Sequence, residues 1–579
     1  MTHLSECSKK LILNIIEINN VEQLKTIDKF NSDVYLFWLP FPRTNIDAIK
    51  SKNIFELITN YCAQLSNKST ICFLTTPPDA AVLLAHLESV LNFKLWVAVK
   101  TSVDTDSTKK KVLSKRHATL LILTKYSEAL IHTKTRIKYT YCPACQKTTK
   151  DYGGKKHTYH EYGTLMSDVW RDIEINPNDN INVLIDRVSD IFGIEEYQNI
   201  WLINMQNFDE LLPAKSENKE VQARRENLIK DENKSLKNQL VNEDCLSALR
   251  SLPDNCIDFC FADPPYNLNK KYDKWDDTLE SIEYFKWCDS WLSELYRVLK
   301  PGHTLAVLNI PLLAARHYNH LNSFMIFQDW IVWDALSFPV RMIMPAHYAI
   351  LCFSKGEPRP LPGLIDENNT TKEKLLLNPL AEFYCIRPNC IKKRNRFGNI
   401  DRSLISNIWY DIHRLKHNSR RVDHPCQLPP DLMKRLFAVY TKSDEIILDC
   451  FNGAGTSTLT AHQMGRRFVG IELSQQYYEI SLKRHEQLEK GIDPFGKINE
   501  TPLVKNSNVP RLPKQKHKVS KKALQLEIKR IAKDIGRIPT KDEVKKLSEY
   551  SIEYFENYFI SWGEACAAAR TTGMTEIQT

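Results

Sequence analysis

The segment from Ile257 to Asn267 reads IDFCFADPPYN, an apolar run that ends in an acidic residue, two prolines and a tyrosine. The apolar part is typical of a buried strand, and two consecutive prolines can neither donate backbone N–H groups nor continue the strand. We therefore predict a strand that ends at Ala262, with Asp263 and Tyr266 presented on a stiff turn. Such a pair suits binding the exocyclic amine of a flat base while stacking on its face. An ordinary Asp-Pro turn explains these residues equally well.

A second apolar strand, EIILD at 445–449, runs into the glycine-bearing turn CFNGAGTS at 450–457. A helix from Thr458 to Met464 and a further strand, GRRFVGIE at 465–472, follow. Glycines after a strand let a ligand approach the backbone closely, and an acid such as Glu472 at the end of the next strand can accept a ribose hydroxyl. This segment predicts a nucleoside-cofactor site at the carboxyl edge of a parallel sheet.

Short apolar strands alternate with helices around both segments. A helix predicted from about Leu279 to Leu299 ends at a Lys-Pro-Gly stop signal, and strands are predicted at 304–308, 326–333 and 348–353. This alternation predicts an α/β fold with a doubly wound, mostly parallel sheet.

An internal repeat relates residues of about 30–205 to residues of about 240–495. HATLLILTK at 117–125 matches HYAILCFSK at 347–355, and SDVWRDI at 167–173 matches SNIWYDI at 406–412. We infer two copies of one domain. The alignment places Trp38 opposite Asp263 and gives the first copy no glycine turn, so we expect only the second copy to be active.

The pair DPPY and FNGAGT, in that order, resembles the DNA amino-methyltransferases that use S-adenosylmethionine, in the circularly permuted arrangement called the beta class. The resemblance covers about residues 239–490 and implies a Rossmann-like methyltransferase fold. It includes Asn242-Glu243-Asp244 and the HPCQLP segment at 424–429, where Leu428 replaces the lysine that is usual in the family.

The resemblance also implies roles for individual residues. Asp263 and the Pro264 carbonyl would accept both hydrogens of the target amine, and Tyr266 would stack on the flipped base. Methyl transfer would then be accelerated by the positioning of the reacting groups and by dipoles that stabilise the developing cation. The implied catalytic residues are Asp263, Pro264, Pro265 and Tyr266. The implied cofactor residues are Asp244 at the adenine edge, Asp449 near the methionyl amine, Glu472 at the ribose, and Phe451, Gly453, Gly455 and Thr456 around the methionine.

An aspartate in the first position of the motif is the usual mark of adenine enzymes in this family, so we predict N6-adenine methylation of duplex DNA by base flipping. Cytosine-N4 methylation is the alternative within the class. A non-catalytic DNA-binding protein on a methyltransferase scaffold is the alternative from another class.

The domain organisation follows from the repeat and from composition. The first copy would be either a built-in, inactive partner or a decayed duplication that contributes only stability. The last domain resembles the short repeat found beside homing endonucleases, although a helical hairpin for protein contacts would look similar. The predicted parts are a degenerate copy at 1–208, a charged linker at 209–238, a catalytic domain at 239–495 with target recognition at about 357–423, a basic linker at 496–522 and a small all-α DNA-binding module at 523–573.

The target-recognition segment carries a basic cluster with interleaved aromatic residues, which could contact phosphates and base edges. Each charge taken singly is more simply a solvated side chain. The members are Arg387, Lys392, Lys393, Arg394, Arg396, Arg402, Lys416, Arg420 and Arg421, with Tyr384 and Trp409.

Zinc is a second candidate ligand. Cys142 and Cys145 form a C-x-x-C pair that His157 and His160 follow, a spacing compatible with a zinc knuckle. Cys385 and Cys390 occupy the matching place in the second copy, so a four-thiolate site between the copies is also possible. Four unrelated thiols are the simpler interpretation.

The length and composition of the chain limit the domain number, the partners and the location that we predict. The chain has 579 residues, fifteen cysteines and a net charge of +9. Its length predicts several domains, and the basic excess favours a polyanionic partner such as double-stranded DNA. We expect a cytoplasmic protein at the bacterial nucleoid, because neither an apolar run of about eighteen residues nor a signal peptide is visible. A cognate restriction endonuclease is a candidate partner, and a pseudo-dimer within one chain or a homodimer is a candidate assembly.

Overall fold

The structure is a computed structural model with two compact units, residues 1–502 and residues 503–579. The residues that it describes are 12–20, 23, 33–41, 52–102, 110–133, 135–139, 141–142, 144–148, 160, 163–193, 199–207, 236–267, 279–335, 347–365, 377–379, 389–390, 392–393, 402–415, 427–495, 519, 521–559 and 562–570. Within these ranges no helix combines the length and the apolar character that crossing a bilayer requires.

The first sheet of the larger unit has seven strands in the order β1-β11-β2-β3-β5-β4-β10. It begins earlier than the repeat predicted, because β1 adds an edge strand before residue 30. Four short strands accompany it in two separate pairs, β6 with β9 and β7 with β8. The strands are β1 Ile12–Glu17, β2 Val34–Trp38, β3 Thr70–Thr75, β4 Asn92–Thr101, β5 His117–Thr124, β6 Arg136–Ile137, β7 Tyr141–Cys142, β8 Lys147–Thr148, β9 Thr164–Leu165, β10 Val169–Ile175 and β11 Asn199–Asn204.

The second sheet has eight strands in the order β12-β21-β20-β13-β14-β16-β15-β19, and β17 and β18 form a separate pair. Five of its seven pairings are parallel, which confirms the predicted α/β class with a mostly parallel sheet. The strands are β12 Gln239–Asn242, β13 Ile257–Ala262, β14 Leu299–Asn309, β15 Ile326–Trp333, β16 Tyr348–Ser354, β17 Leu377–Pro379, β18 Arg402–Leu404, β19 Ile408–Trp409, β20 Ile446–Asp449 and β21 Arg467–Glu472.

Helices of the larger unit cover both sheets and bury their apolar sides in shared cores. The predicted helix at 279–299 is present as α5. The helices are α1 Lys52–Ala63, α2 Pro77–Leu87, α3 Asn182–Phe192, α4 Cys245–Ser251, α5 Ser281–Val298, α6 Pro311–Leu321, α7 Pro362–Ile365, α8 Pro430–Tyr440, α9 Thr456–Gln463 and α10 Gln475–Glu489.

Strand register supports the internal repeat, which aligns Leu74 with Leu308. Trp38 lies beside Leu74 in the first sheet. In the second sheet Ala262 lies beside the residue before Leu308, so Asp263 follows at the position that Trp38 occupies. The sheets differ in one strand, because β1 pairs directly with β11 whereas β21 separates β12 from β20. Within the described residues no strand follows β11 in the first copy, so β1 lies beside β11 where β21, the strand that ends in the predicted ribose-binding acid, lies beside β20.

The two copies pack through matching elements. Trp96 of β4 and Trp330 of β15 stack at 4.9 Å between ring centroids with an interplanar angle of 4°. The buried carboxylate of Asp168 lies 2.8 Å from Nδ1 of His347. Asn407 of the second copy is the residue that the repeat aligns with Asp168. Its Oδ1 accepts the backbone N–H of Arg116 in the first copy at 2.9 Å. Since a single core cluster includes residues of both copies, they form one folded body.

The smaller unit is all-helical, as predicted. A capping box at Thr540 and Glu543 fixes the start of its second helix. Its core consists of Leu524, Ile528, Val544 and Phe555 among other apolar residues. The helices are α11 Lys521–Ile535, α12 Lys541–Leu547, α13 Ile552–Tyr558 and α14 Trp562–Arg570.

Candidate active site

Hydrogen bonds from two tyrosine hydroxyls stabilise the turn after β13. Every residue of β13 is buried, and the strand stops at the two prolines. The Tyr266 hydroxyl donates to Oδ1 of Asp263 at 2.7 Å, and the Tyr284 hydroxyl donates to the Pro265 carbonyl at 2.8 Å. The Asp263 side chain therefore has a fixed orientation at the carboxyl end of the sheet.

Asn267 closes this turn, which the sequence did not reveal. Its φ of 55° is left-handed, a conformation that asparagine tolerates better than most residues. Its side-chain amide donates to the Leu279 carbonyl at 2.7 Å and accepts from the Leu279 N–H at 2.8 Å. The start of α5 is thereby fastened to the catalytic turn.

Tyr266 is more enclosed than its predicted stacking role suggests. Only 7% of its surface is exposed, and its ring centroid lies 6.2 Å from that of Tyr348. In this structure the tyrosine positions Asp263 through its hydroxyl. Stacking on a base stays a prediction that requires the ring to become accessible.

Asp449 ends β20, the strand that pairs in parallel with β13, with Asp449 beside Phe261. Its Oδ1 accepts the Phe451 N–H at 2.9 Å, and its Oδ2 accepts the Ser457 hydroxyl. Burial raises the pKa of the Asp449 carboxyl to about 7 despite these hydrogen bonds, and the negative charge of Asp263 acts in the same direction. The two carboxylates of the site thus interact electrostatically.

The glycine turn joins β20 to the acid at the end of β21. The Gly453 N–H donates to Oε2 of Glu472 at 2.7 Å, and the Ser474 N–H donates to its Oε1 at 2.8 Å. Each carboxylate oxygen can accept a further hydrogen bond, so Glu472 retains capacity for ribose hydroxyls. Gly455 has φ 83° and precedes α9, whose first residue is the buried Thr456.

Phe451 packs beside two tryptophans of α5. Its ring centroid lies 5.8 Å from Trp287 and 5.2 Å from Trp291. The ring is half-buried, so it presents part of its surface where the glycine turn begins. This position is compatible with the predicted contact to an apolar part of a cofactor.

Asp244 has a structural task in addition to its predicted contact with adenine. It is the N-cap of α4, and its Oδ1 accepts the N–H groups of Leu246 and Ser247 at 3.0 and 3.2 Å. It follows Asn242, which lies beside Glu472 in the register of β12 and β21. The structure therefore brings Asp244 to the same sheet edge as the other predicted cofactor residues.

A buried polar network beneath the turn was missed by sequence reasoning. The Asn452 amide donates to the Ser481 hydroxyl at 3.0 Å and accepts from Thr458 at 2.8 Å. The His485 Nε2 lies 3.1 Å from the Thr458 hydroxyl. Two of these residues lie on α10, and no local pattern signals a contact between helices.

The predicted basic cluster is only partly within the described residues. Lys392 and Lys393 are exposed, as a DNA contact requires. The interpretation of Trp409 as a DNA-contacting aromatic residue is wrong, because its side chain is fully buried and its indole N–H donates to the Ser406 carbonyl at 2.8 Å. Outside the described residues lie Tyr384, Arg387, Arg394, Arg396, Lys416, Arg420 and Arg421, and for Arg402 the backbone alone is described.

The predicted zinc ligands are also only partly within the described residues. The structure brings Cys142, Cys145 and Cys390 together, whereas Cys385 and His157 lie outside the described residues. His160 is not part of the cluster that the described residues form.

The predicted cofactor residues fit a nucleoside carrying a cationic amino-acid tail. An acid at the end of β21, a left-handed glycine turn and a buried carboxylate converge at one edge of the sheet, next to the Asp263 turn. Fold and site thus define an α/β nucleoside-cofactor protein.

Comparison with known protein families shows which nucleoside-cofactor proteins this chain is similar to. A family model described as DNA methylase, of the N6/N4 type, matches residues 257–483. A second model, described as homing endonuclease associated repeat, matches residues 519–569. Both predicted resemblances are confirmed, because residues 257–483 are similar to the N6/N4 DNA methylases and residues 519–569 are similar to the homing endonuclease associated repeat. At the level of the family, the expected cofactor S-adenosylmethionine is confirmed as well.

Curated relatives match part of this chain. M.BamHI, a type II methyltransferase of Bacillus amyloliquefaciens, is 30% identical over 271 residues, which are 45% of this chain and 60% of M.BamHI. M.HpaI, a type II methyltransferase of Haemophilus parainfluenzae, is 29% identical over 45% of this chain and 77% of its own length. Among solved structures, the PvuII DNA methyltransferase (cytosine-N4-specific) is 18% identical, with a TM-score of 0.32. The alignment covers 43% of this chain and 86% of the PvuII chain.

Proposed function

We propose that this chain transfers a methyl group from S-adenosylmethionine to N6 of adenine in double-stranded DNA. The observation that carries the proposal is the register of β13 and β20. It sets the Asp263 turn and the turn that follows Asp449 at the ends of adjacent parallel strands. A target amine held by one turn would lie next to a cofactor held by the other.

The cofactor-holding residues are assigned from their chemistry. Glu472 would accept ribose hydroxyls, Asp449 would pair with the methionyl ammonium, and Phe451 would cover the apolar chain. When bound, S-adenosylmethionine supplies an electrophilic methyl group on a sulfonium. The raised pKa of Asp449 suits a carboxylate that becomes fully charged when a cation arrives beside it.

The base-holding residues act through hydrogen bonds. The Asp263 carboxylate is an acceptor with about four lone-pair sites, and the Tyr266 hydroxyl donates to its Oδ1. Within the described residues no backbone donor is bonded to the Pro264 carbonyl. These two acceptors would take both amine hydrogens, which concentrates electron density on the amine nitrogen and stabilises the positive charge that develops there.

The choice of adenine rests on Asp263 in the first position of the motif. Cytosine N4 presents a similar amine, so the alternative product is N4-methylcytosine. The relatives are named type II methyltransferases, which makes a cognate restriction endonuclease a proposed partner.

The test is mass spectrometry of nucleosides from duplex DNA treated with the full chain and S-adenosylmethionine. We expect N6-methyladenine with the natural protein and with Asp431→Asn, an exposed control on α8. We expect no product with Asp263→Asn, which should still bind the cofactor because Asp263 lies in the other turn. N4-methylcytosine alone would overturn the choice of base. Cofactor binding without any methylated base would favour a non-catalytic DNA-binding protein.

We also propose that the first copy is a built-in, inactive partner. It keeps the interface, through Trp96 and Asp168, but has Trp38 in place of the catalytic aspartate, and its described residues include no strand after β11 that would match β21. Its packing against the second copy supports a stabilising role.

A further inference from the structure

Three cysteines converge where the two copies meet. The sulfur atoms of Cys142, Cys145 and Cys390 all lie within 4.8 Å of one another. Cys142 and Cys145 belong to the first copy and Cys390 to the second. Cys142 is fully buried and Cys390 is 6% exposed, yet among the described residues the apolar cluster around the three cysteines adds only Ala144. Apolar packing of that size does not explain why three thiols are collected at one point.

The hairpin that carries two of them has the geometry of a metal-binding turn. Tyr141–Cys142 pairs with Lys147–Thr148 in an antiparallel ladder, and the Gln146 N–H donates to the Cys142 carbonyl at 2.8 Å. Gln146 is left-handed, with φ 55°, which costs a residue other than glycine about 1 kcal/mol or more. Such a turn directs both thiols to the same side and calls for a compensating interaction.

The distances and the chemistry select zinc. Tetrahedral zinc holds thiolates at about 2.3 Å, which separates the sulfurs by about 3.8 Å, so a contraction of at most about 1 Å would complete the geometry. A disulfide needs a sulfur pair at about 2.0 Å, and all three residues are in the thiol form. The other metal-compatible group within the described residues, Asp258 with His303 and Glu445, is already paired with Lys300 and Arg359.

We propose a structural zinc site in which Cys142 and Cys145 of the first copy and Cys390 of the second copy are ligands. The ion fastens the hairpin of the inactive copy to the segment of the active copy that the sequence assigns to target recognition. Each thiol loses its proton as it binds the metal, so zinc affinity falls as the pH falls.

The first test is the metal content of the full-length protein purified under reducing conditions. We expect about one zinc per chain, and a loss of nearly all zinc in Cys142→Ser, Cys145→Ser and Cys390→Ser. Cys566→Ser changes a half-buried cysteine of the C-terminal unit and should keep the metal. His160→Ala should also keep it.

The second test replaces zinc by cobalt(II) in the natural protein and then compares the effect of zinc removal on the natural protein and on Cys390→Ser. Charge-transfer absorption from thiolate to cobalt should appear in the natural protein, as expected for a metal bound by cysteine sulfurs. Zinc removal should lower the thermal midpoint of the natural protein but leave that of Cys390→Ser unchanged. The absence of metal after zinc reconstitution, or an absorption spectrum without thiolate ligands, would overturn the proposal. Loss of zinc in His160→Ala with retention in Cys390→Ser would instead place the metal within the first copy.

Discussion

At the scale of the residue, the site depends on two carboxylates in different surroundings. Asp263 is half-buried and oriented by Tyr266, whereas Asp449 is buried and has a pKa near neutrality. A buried carboxyl whose pKa is raised stays neutral until a cation compensates for its lost hydration. The protonation of Asp449 and the binding of a cationic ligand should therefore be linked.

We expect the affinity for S-adenosylmethionine to fall as the pH is lowered through about 7. The pKa of Asp449 in the free protein is raised, so its carboxyl is neutral below that value and attracts the ligand ammonium less. Calorimetric titrations below about pH 8, where the ammonium keeps its proton, measure this. Asp449→Asn should bind more weakly and lose this pH dependence. An unchanged profile in the variant would contradict the assignment.

The variant Tyr266→Phe distinguishes two roles of Tyr266, the orientation of Asp263 by its hydroxyl and the stacking of its ring on a base. The variant keeps the ring but removes the hydroxyl that holds Asp263, and a hydrogen bond to a charged group contributes about 1.5 kcal/mol. We expect kcat to fall by about tenfold while the KM for the cofactor is unchanged. Single-turnover methylation measures this, and full activity of Tyr266→Phe would show that only the ring matters.

At the scale of the element, the turn between β20 and α9 must approach α10 closely. A Cβ at Gly455 would lie 2.3 Å from Oγ of Ser481 on α10, in addition to the strain of φ 83°. The buried hydrogen bonds of Asn452 and Thr458 hold the same contact. Glycine at 455 thus serves helix packing as well as ligand access.

Gly455→Ala should lower both stability and cofactor affinity. The strain alone costs about 1 to 3 kcal/mol, and relief of the clash would displace the turn that holds Glu472. Gly465→Ala is a matched control, because Gly465 also has a positive φ but nothing within 4 Å of its Cβ position. We expect the control to lose stability in urea unfolding but to bind cofactor normally. Equal affinities in both variants would contradict the close-approach argument.

At the scale of the whole molecule, the larger unit is one body built from two copies of a fold. The stack of Trp96 on Trp330 and the contact between Asp168 and His347 lie at matching places of the repeat. Since the core continues across this boundary, the active copy depends on the inactive one for part of its buried surface.

Trp96→Ala, a change in the inactive copy, should destabilise the active site. Truncation of a buried tryptophan costs about 3 to 5 kcal/mol, so cofactor binding should be lost at a lower urea concentration than in the natural protein. Ile282→Ala, which changes a residue that is 72% exposed, should leave that midpoint unchanged. An unchanged midpoint in Trp96→Ala would mean that the second copy folds independently of the first.

The C-terminal unit gives a separate prediction. Because residues 503–579 form a compact unit of their own and match a homing endonuclease associated repeat, a chain that stops at Pro502 should keep cofactor binding. If the unit contacts phosphates, as we propose, the shortened chain should bind DNA more weakly and with a smaller salt dependence. Fluorescence anisotropy at several salt concentrations measures this, and an unchanged salt dependence would favour a protein-contact role.

Much of this protein was determined by local sequence. Two prolines ended β13 after Ala262, and the glycine turn and Glu472 predicted a nucleoside site, because turns and strand ends depend on neighbouring residues. The repeat was also visible, since HATLLILTK and HYAILCFSK must fill equivalent strands of the two sheets.

Tertiary structure alone decided which distant residues meet. Among the described strands β1 lies next to β11, Trp409 is buried rather than facing a ligand, Ser481 touches the glycine turn, and Cys390 lies beside Cys142. Strand register and contacts between helices join residues far apart in the chain, and their energies come from burial and packing that no short sequence pattern encodes. The sequence therefore determined the parts of the site, and the packing of the two copies decided their arrangement.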